Sequence, residues 1–233
     1  MRFLELEKQL KSVQEQIKQA EIKANRIPSR VDLLAVSKTK PTTDIEILYD
    51  LGCFRFGENY VQEAVEKVNQ LSHLFIEWHY IGTIQSNKTK VIASTFDWVH
   101  TIDRQKVADR LSDARDGPPI NALIQVNIDN SDSKAGVSLD NLNNLADHII
   151  GLPNINLRGL MSIPDPTNKD CLKRAHQKLK EEFDQLKARH QDLKSFDTLS
   201  MGMTDDLSLA IAEGSTMVRV GTALFGAREK DKI

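Results

Sequence analysis

Lys38 is the residue of this chain best placed to do chemistry. It follows the run Leu33-Leu34-Ala35-Val36-Ser37 and is followed by Thr39-Lys40-Pro41, where Pro41 ends regular pairing. An apolar run bounded in this way reads as a strand buried on both faces. A lysine at the C-terminal end of such a strand carries its amine to the mouth of a sheet or barrel. Desolvation there favours the neutral amine, which attacks an aldehyde and forms a Schiff base.

A second group of residues suits an anion. Ser200-Met201-Gly202-Met203-Thr204 reads as the join between a strand and a helix. Gly202 lets the backbone approach a ligand, and the Ser200 hydroxyl can donate. Gly221-Thr222, after the last strand, repeats the pairing of a small residue with a hydroxyl. Free amides from two adjacent loops make an anion cradle that needs no net positive charge. Arg219, one strand over, can point at the ring of a ligand. An aldehyde-reactive lysine facing a phosphate cradle is the layout needed by pyridoxal 5′-phosphate (PLP). It would equally suit a Schiff-base aldolase acting on a sugar phosphate.

These groups meet only if the fold brings the first strand beside the last two. Phe3, Leu6, Leu10, Val13, Ile17, Ala20 and Ala24 recur at helical spacing, so the chain opens with an amphipathic helix. After the Lys38 strand, Thr43 and Glu46 have the spacing of a capping box for a helix over 44–49. Strands are then predicted over 53–59, 77–82, 97–103, 121–127, 157–163, 198–203 and 217–220. Helices are predicted over 61–71, 86–94, 106–114, from a Ser138 cap to 150, along the Leu172–Leu186 stripe, and over 206–213. Gly214 is positioned to end the last of these in a left-handed conformation. Eight strands alternating with helices predict parallel pairing and a single (β/α)8 TIM barrel preceded by an extra helix, one domain over 1–233. An open doubly wound sheet is the alternative, weakened because no Gly-x-Gly-x-x-Gly follows the first strand. In a barrel, Lys38, Asn59, Thr83, Asp103, Asn127, Ser162, Ser200 and Arg219 all fall at the C-terminal mouth.

Composition narrows the partners. Of the 233 residues 27% are charged and the formal net charge is −2, which gives no electrostatic case for nucleic acid or an anionic membrane surface. No apolar stretch is long enough to span a membrane, and the N-terminus lacks a signal-peptide core. Two cysteines are too few for a disulfide framework and point to reduced thiols in a cytoplasmic protein. The histidines show no metal-ligand spacing, so no metal site is expected.

Long ordered motifs carry a family resemblance. They are Val36-Ser37-Lys38-Thr39-Lys40-Pro41, Phe56-Gly57-Glu58-Asn59-Tyr60-Val61-Gln62-Glu63, Trp78-His79-Tyr80-Ile81-Gly82 with Gln85-Ser86-Asn87-Lys88, and Gly159-Leu160-Met161. To these add Leu199-Ser200-Met201-Gly202-Met203-Thr204-Asp205-Asp206 and the run from Gly214 to Gly226. Together they resemble the pyridoxal phosphate homeostasis protein family, and more distantly the N-terminal barrel of alanine racemase. The resemblance implies that Lys38 holds PLP as a lysine aldimine and that Ser200, Gly202, Gly221 and Thr222 hold its phosphate. It also implies that Arg219 faces the pyridine nitrogen and that Asn59 and Met161 line the ring pocket. Lys134 matches a family lysine associated with cofactor exchange. Thr204 stands where many relatives carry Ser, and Thr83 where Pro is common.

A guanidinium only donates, so Arg219 would keep the pyridine nitrogen unprotonated and weaken the ring as an electron sink. The alternative to a carrier is a PLP-dependent amino-acid racemase. That activity needs a second acid/base on the ring face opposite Lys38, supplied in alanine racemase by a tyrosine from an additional domain of the partner subunit. None of Tyr49, Tyr60 and Tyr80 is placed on such a segment. The expectation is therefore a monomeric PLP-homeostasis protein that stores the cofactor or delivers it to PLP-dependent apoenzymes, without robust turnover.

Overall fold

In the computed structural model, residues 1–131 and 134–227 are described; 132–133, inside the Lys134 motif, and 228–233 lie outside them. Eight strands follow one another in sequence: β1 (Asp32–Val36), β2 (Arg55–Glu58), β3 (Glu77–Tyr80), β4 (Trp98–Ile102), β5 (Ile120–Gln125), β6 (Ile155–Met161), β7 (Thr198–Ser200) and β8 (Met217–Val220). Each pairs in parallel with the next, and β8 returns to pair with β1, so the sheet closes into a barrel. The register of the closing pair sets Leu34 against Arg219 and Ala35 against Val220. This brings the end of β1 beside the ends of β7 and β8.

The helices are α1 (Arg2–Lys23), α2 (Thr42–Asp50), α3 (Val61–Gln70), α4 (Thr89–Thr95), α5 (Gln105–Ala114), α6 (Leu139–Ile150), α7 (Lys169–Arg189), α8 (Leu207–Ala212) and α9 (Thr222–Phe225). The main apolar core lies between barrel and helices. Trp98, Leu123 and Met161 form a separate small cluster among buried residues. Among the described residues no helix is long and apolar enough to cross a membrane.

The extra helix α1 is an integral part of this packing. Its stripe Leu6, Leu10, Val13, Ile17 and Ala20 is buried, and it packs against α2, α8 and α9. Arg2 Nε donates to Asp44 Oδ1 at 3.0 Å, and Arg26 Nη1 donates to the carbonyls of Ile211 and Ser215. The buried carboxylate of Glu21 accepts the backbone amides of Ser29, Arg30 and Val31 and so fixes the approach to β1.

Some local expectations are corrected. No capping box forms at Thr43 and Glu46: α2 begins two residues earlier, with Pro41 extended at the N-cap, so Thr43 already lies inside the helix. Ser138 holds the N-cap position of α6, but its hydroxyl accepts the Asn141 side-chain amide and no helix amide. Strand β7 stops at Ser200, three residues short of expectation, because Gly202 turns the chain at φ +94°. The short helix α9 was not foreseen, being too brief to show a period.

Candidate functional site

At the C-terminal mouth of the barrel lies a cavity of about 290 Å³. Six residues expected from sequence line it: Lys38, Asn59, Met161, Arg219, Gly221 and Thr222. A larger hollow of about 570 Å³ sits beside α1, lined by Lys11, Glu15, Lys18 and the buried Glu21 among others, and brings together no such set of groups. The mouth cavity is the one where an amine, a guanidinium and two small-residue loops converge.

The loop bearing Lys38 is fixed on both sides of that residue. Ser37 Oγ donates to Glu58 Oε1 at 2.6 Å, and Lys67 Nζ donates to the Ser37 carbonyl at 2.8 Å. The Thr39 amide donates to Glu63 Oε1, at φ +62°. Lys67 also bridges Glu58 and Glu63. Burial pushes the Glu58 pKa up, against the pull of Lys67 and Ser37. Lys40 Nζ donates to the carbonyls of Gly226 and Ala227, tying the same loop to the segment after α9.

Arg219 is 5% exposed. Its Nη1 donates to the Ser200 carbonyl and to Ser200 Oγ, both at 2.8 Å, and its Nη2 donates to the Ser162 carbonyl at 2.9 Å. Burial lowers its pKa to about 10, so it stays charged at neutral pH. Asn59 presents a buried Oδ1 with no partner among the described residues. A ligand group at that position would satisfy it.

Two expected phosphate ligands, Ser200 and Gly202, are not among the residues lining the cavity. Ser200 is fully buried, and its hydroxyl lies between Arg219 Nη1 and His100 Nδ1, away from the cavity lining. Gly202 also lies behind the lining: a Cβ there would come within 2.5 Å of the Ala210 Cβ. The hydroxyl that does reach the cavity from this loop is Thr204. Its position just past the glycine turn was the available signal. The amides of Thr204, Asp205, Thr222 and Ala223 have no acceptor among the described residues, whereas Met203 N is taken by Asp206 Oδ1. Lys134 stands outside the cavity lining and pairs with Asp129.

Comparison with known proteins fits this geometry. The family described as alanine racemase, N-terminal domain, matches residues 9–229. A pyridoxal phosphate homeostasis protein from Pasteurella multocida is 49% identical over 232 residues, covering 97% of this chain and 99% of that protein. A protein of the same name from Escherichia coli is 46% identical over 229 residues, covering 96% and 97%. The chain belongs to the pyridoxal phosphate homeostasis protein family.

Solved structures share the fold. PipY of Synechococcus elongatus with PLP bound has a TM-score of 0.82 at 31% identity, covering 95% of this chain and 100% of that one. Alanine racemase of Corynebacterium glutamicum, at 16% identity and a TM-score of 0.67, shares the fold alone and is spanned over 63% of its length.

Proposed function

We propose that this chain binds PLP in the mouth cavity and serves intracellular PLP homeostasis by storing the cofactor or delivering it to apoenzymes. The observation that carries the reading is the convergence of Lys38, Arg219 and the two unsaturated loops 204–205 and 222–223 on one cavity. The names of the family members and the PLP-bound relative support it. The donor set fits the cofactor at each end: Lys38 for the aldehyde, Thr204 and Thr222 with their amides for the phosphate, Asn59 for the ring substituent and Arg219 for the ring nitrogen. PLP itself supplies an electrophilic aldehyde and a ring able to accept electrons.

The chain's own residues favour holding over turnover. Arg219 can only donate and remains charged, so it leaves the ring nitrogen without a proton. No tyrosine among the described residues reaches the cavity: Tyr80 donates to the Thr83 carbonyl, Tyr49 accepts the Phe75 amide, and Tyr60 is exposed outside the lining. We propose a single PLP-binding domain over 1–233 that is monomeric and cytoplasmic.

The test is reduction with borohydride after incubation with PLP, followed by peptide mapping. A phosphopyridoxyl group on Lys38, absent from Lys38→Ala, is the expected result. A chain that stays colourless with excess PLP overturns the reading and favours a Schiff-base aldolase.

A further inference from the structure

Behind the cavity, a file of polar side chains crosses the barrel. It starts at Arg219 on β8, whose Nη1 lies 2.8 Å from Ser200 Oγ on β7. Ser200 Oγ is 3.2 Å from His100 Nδ1 on β4. His100 Nε2 is 2.8 Å from His79 Nδ1 on β3, and His79 Nε2 is 2.9 Å from Glu77 Oε1 at the start of the same strand. Ser200, His100 and His79 are completely buried. Beyond them Glu77 receives Arg55 Nε at 3.0 Å, and Arg55 Nη1 meets Asp32 at 3.0 Å.

With both imidazoles neutral, the form that their complete burial favours, the protons in this file have one arrangement that satisfies every link. A guanidinium only donates and a carboxylate only accepts. Ser200 therefore accepts from Arg219 and passes its own proton to His100 Nδ1. His100 must carry its proton on Nε2 and donate it to His79 Nδ1. His79 must likewise carry its proton on Nε2 and donate it to Glu77. Both rings are neutral in this arrangement, in line with burial, which depresses both of their pKa values. Burial alone would raise Glu77, but the bonds and charges of His79 and Arg55 outweigh it and hold the carboxyl at about 2. Trp98 stacks on His79 at 5.2 Å between centroids and keeps the ring in plane with the file.

We infer that His79, His100 and Glu77 are positioning residues for Arg219. The file anchors the guanidinium at the cavity to a carboxylate at the opposite end of the barrel. Each bond polarises the next, so the carboxylate strengthens Ser200 as an acceptor, which fixes the orientation of the Arg219 guanidinium and holds it charged beside a ligand's ring nitrogen. The role assigned to that nitrogen rests on the PLP reading above, whereas the proton arrangement stands without it.

Two measurements test the relay. The first is nitrogen-15 NMR of the histidine rings in the ligand-free protein between about pH 6 and pH 8. Both rings should show the Nε2–H tautomer throughout, and either ring as Nδ1–H or as imidazolium overturns the arrangement. The second is the equilibrium preference for PLP over its analogue with carbon in place of the ring nitrogen. His100→Leu and Glu77→Gln should each erode that preference by about tenfold, the scale of one charge-assisted hydrogen bond. His79→Gln, which keeps one acceptor and one donor, should retain most of it. A merely structural role would weaken both ligands alike, so an unchanged preference in Glu77→Gln overturns the relay even if His100→Leu fails to fold. If the parent protein binds neither ligand, the PLP reading fails and the ring tautomers still decide the relay.

Discussion

Lys67 Nζ lies 2.8 Å from Glu58 Oε1 directly beneath the loop that bears Lys38, with both side chains buried. The pair is the keystone of that loop, because Lys67 holds the Ser37 carbonyl and Glu58 holds the Ser37 hydroxyl. Removing one member leaves the other charge buried without its partner. Lys67→Met should therefore lower stability by about 3–5 kcal/mol. Adding Glu58→Gln should restore part of the loss. Urea denaturation of the single and double variants measures both. A Lys67→Met protein as stable as the parent would show that the pair holds nothing.

The two hydroxyls of the 200–204 loop should separate by ligand. Thr204 lines the cavity, so Thr204→Val should weaken PLP relative to pyridoxal, which lacks the phosphate, by about 1.5–3 kcal/mol. Ser200 contacts Arg219 and His100 instead, so Ser200→Ala should weaken both ligands to a similar degree. Competitive titration of each variant with the two ligands distinguishes these outcomes. A phosphate-specific loss confined to Ser200→Ala would return the cradle to the residue expected from sequence.

Stability should fall as the medium is acidified below the ordinary imidazole range. His79 and His100 are depressed from 6.5 by burial, so the unfolded chain takes up protons that the native rings refuse. Their contribution is complete above about 6.5 and is lost as pH falls toward the native values, at up to about 1.4 kcal/mol per pH unit for each ring. Glu77 acts in the same sense at lower pH, since its carboxyl is held at about 2 against an ordinary 4.5. Glu58 is raised and opposes this trend in its own range. The urea midpoint of the ligand-free protein should be lower near pH 5.5 than near pH 7.5, and the paired change His79→Gln with His100→Gln should flatten the difference. An equal midpoint at both values in the parent would mean that the rings take up protons normally.

Gly202 should tolerate no side chain. Its φ is +94°, and an added Cβ meets the Ala210 Cβ at 2.5 Å. Gly202→Ala should cost about 1–3 kcal/mol in backbone strain alone, with the steric clash added, and should displace Thr204 from the cavity. Gly117 has a similar φ of +103° with nothing within 4 Å, so Gly117→Ala isolates the backbone contribution. Thermal denaturation of the two variants should rank Gly202→Ala as the more damaged.

The holo-protein should exchange the α-proton of L-alanine in deuterated buffer no faster than free PLP at the same concentration. General acid catalysis needs a positioned group within hydrogen-bond reach of the reacting carbon. Besides Lys38 and Arg219, the described titratable side chain on the cavity is Asp205, which is exposed. Stereoinversion that is rapid in the parent and lost in Lys38→Ala would make this chain a racemase.

Much of this architecture was legible because strand and helix periods differ and alternate along the whole chain. Lys38 was legible because it follows a buried apolar strand and a proline stands three residues beyond it. The side chains of Ser200, His79 and His100 were not. Whether a residue at a strand end points into the barrel or toward its mouth depends on register, such as His79 pairing with Trp98 in β3 and β4. No local pattern in 77–82 or 97–103 encodes that register. Thr204 was visible as a hydroxyl past a glycine, but its proximity to Gly221 and Thr222 is a product of barrel closure.

The docking of α1 on α8 and α9 sets an order of events during synthesis. The ribosome releases α1 long before these two partners, which lie about 200 residues further along the chain, whereas α2 follows it closely. At ordinary elongation rates the stripe from Leu6 to Ala20 waits about 10–40 s without its docking surface. The barrel is latched only when residues 207–225 have emerged. A nascent chain stalled before that point exposes the part of the α1 stripe that α8 and α9 would cover, the kind of surface a chaperone acting at the ribosome binds.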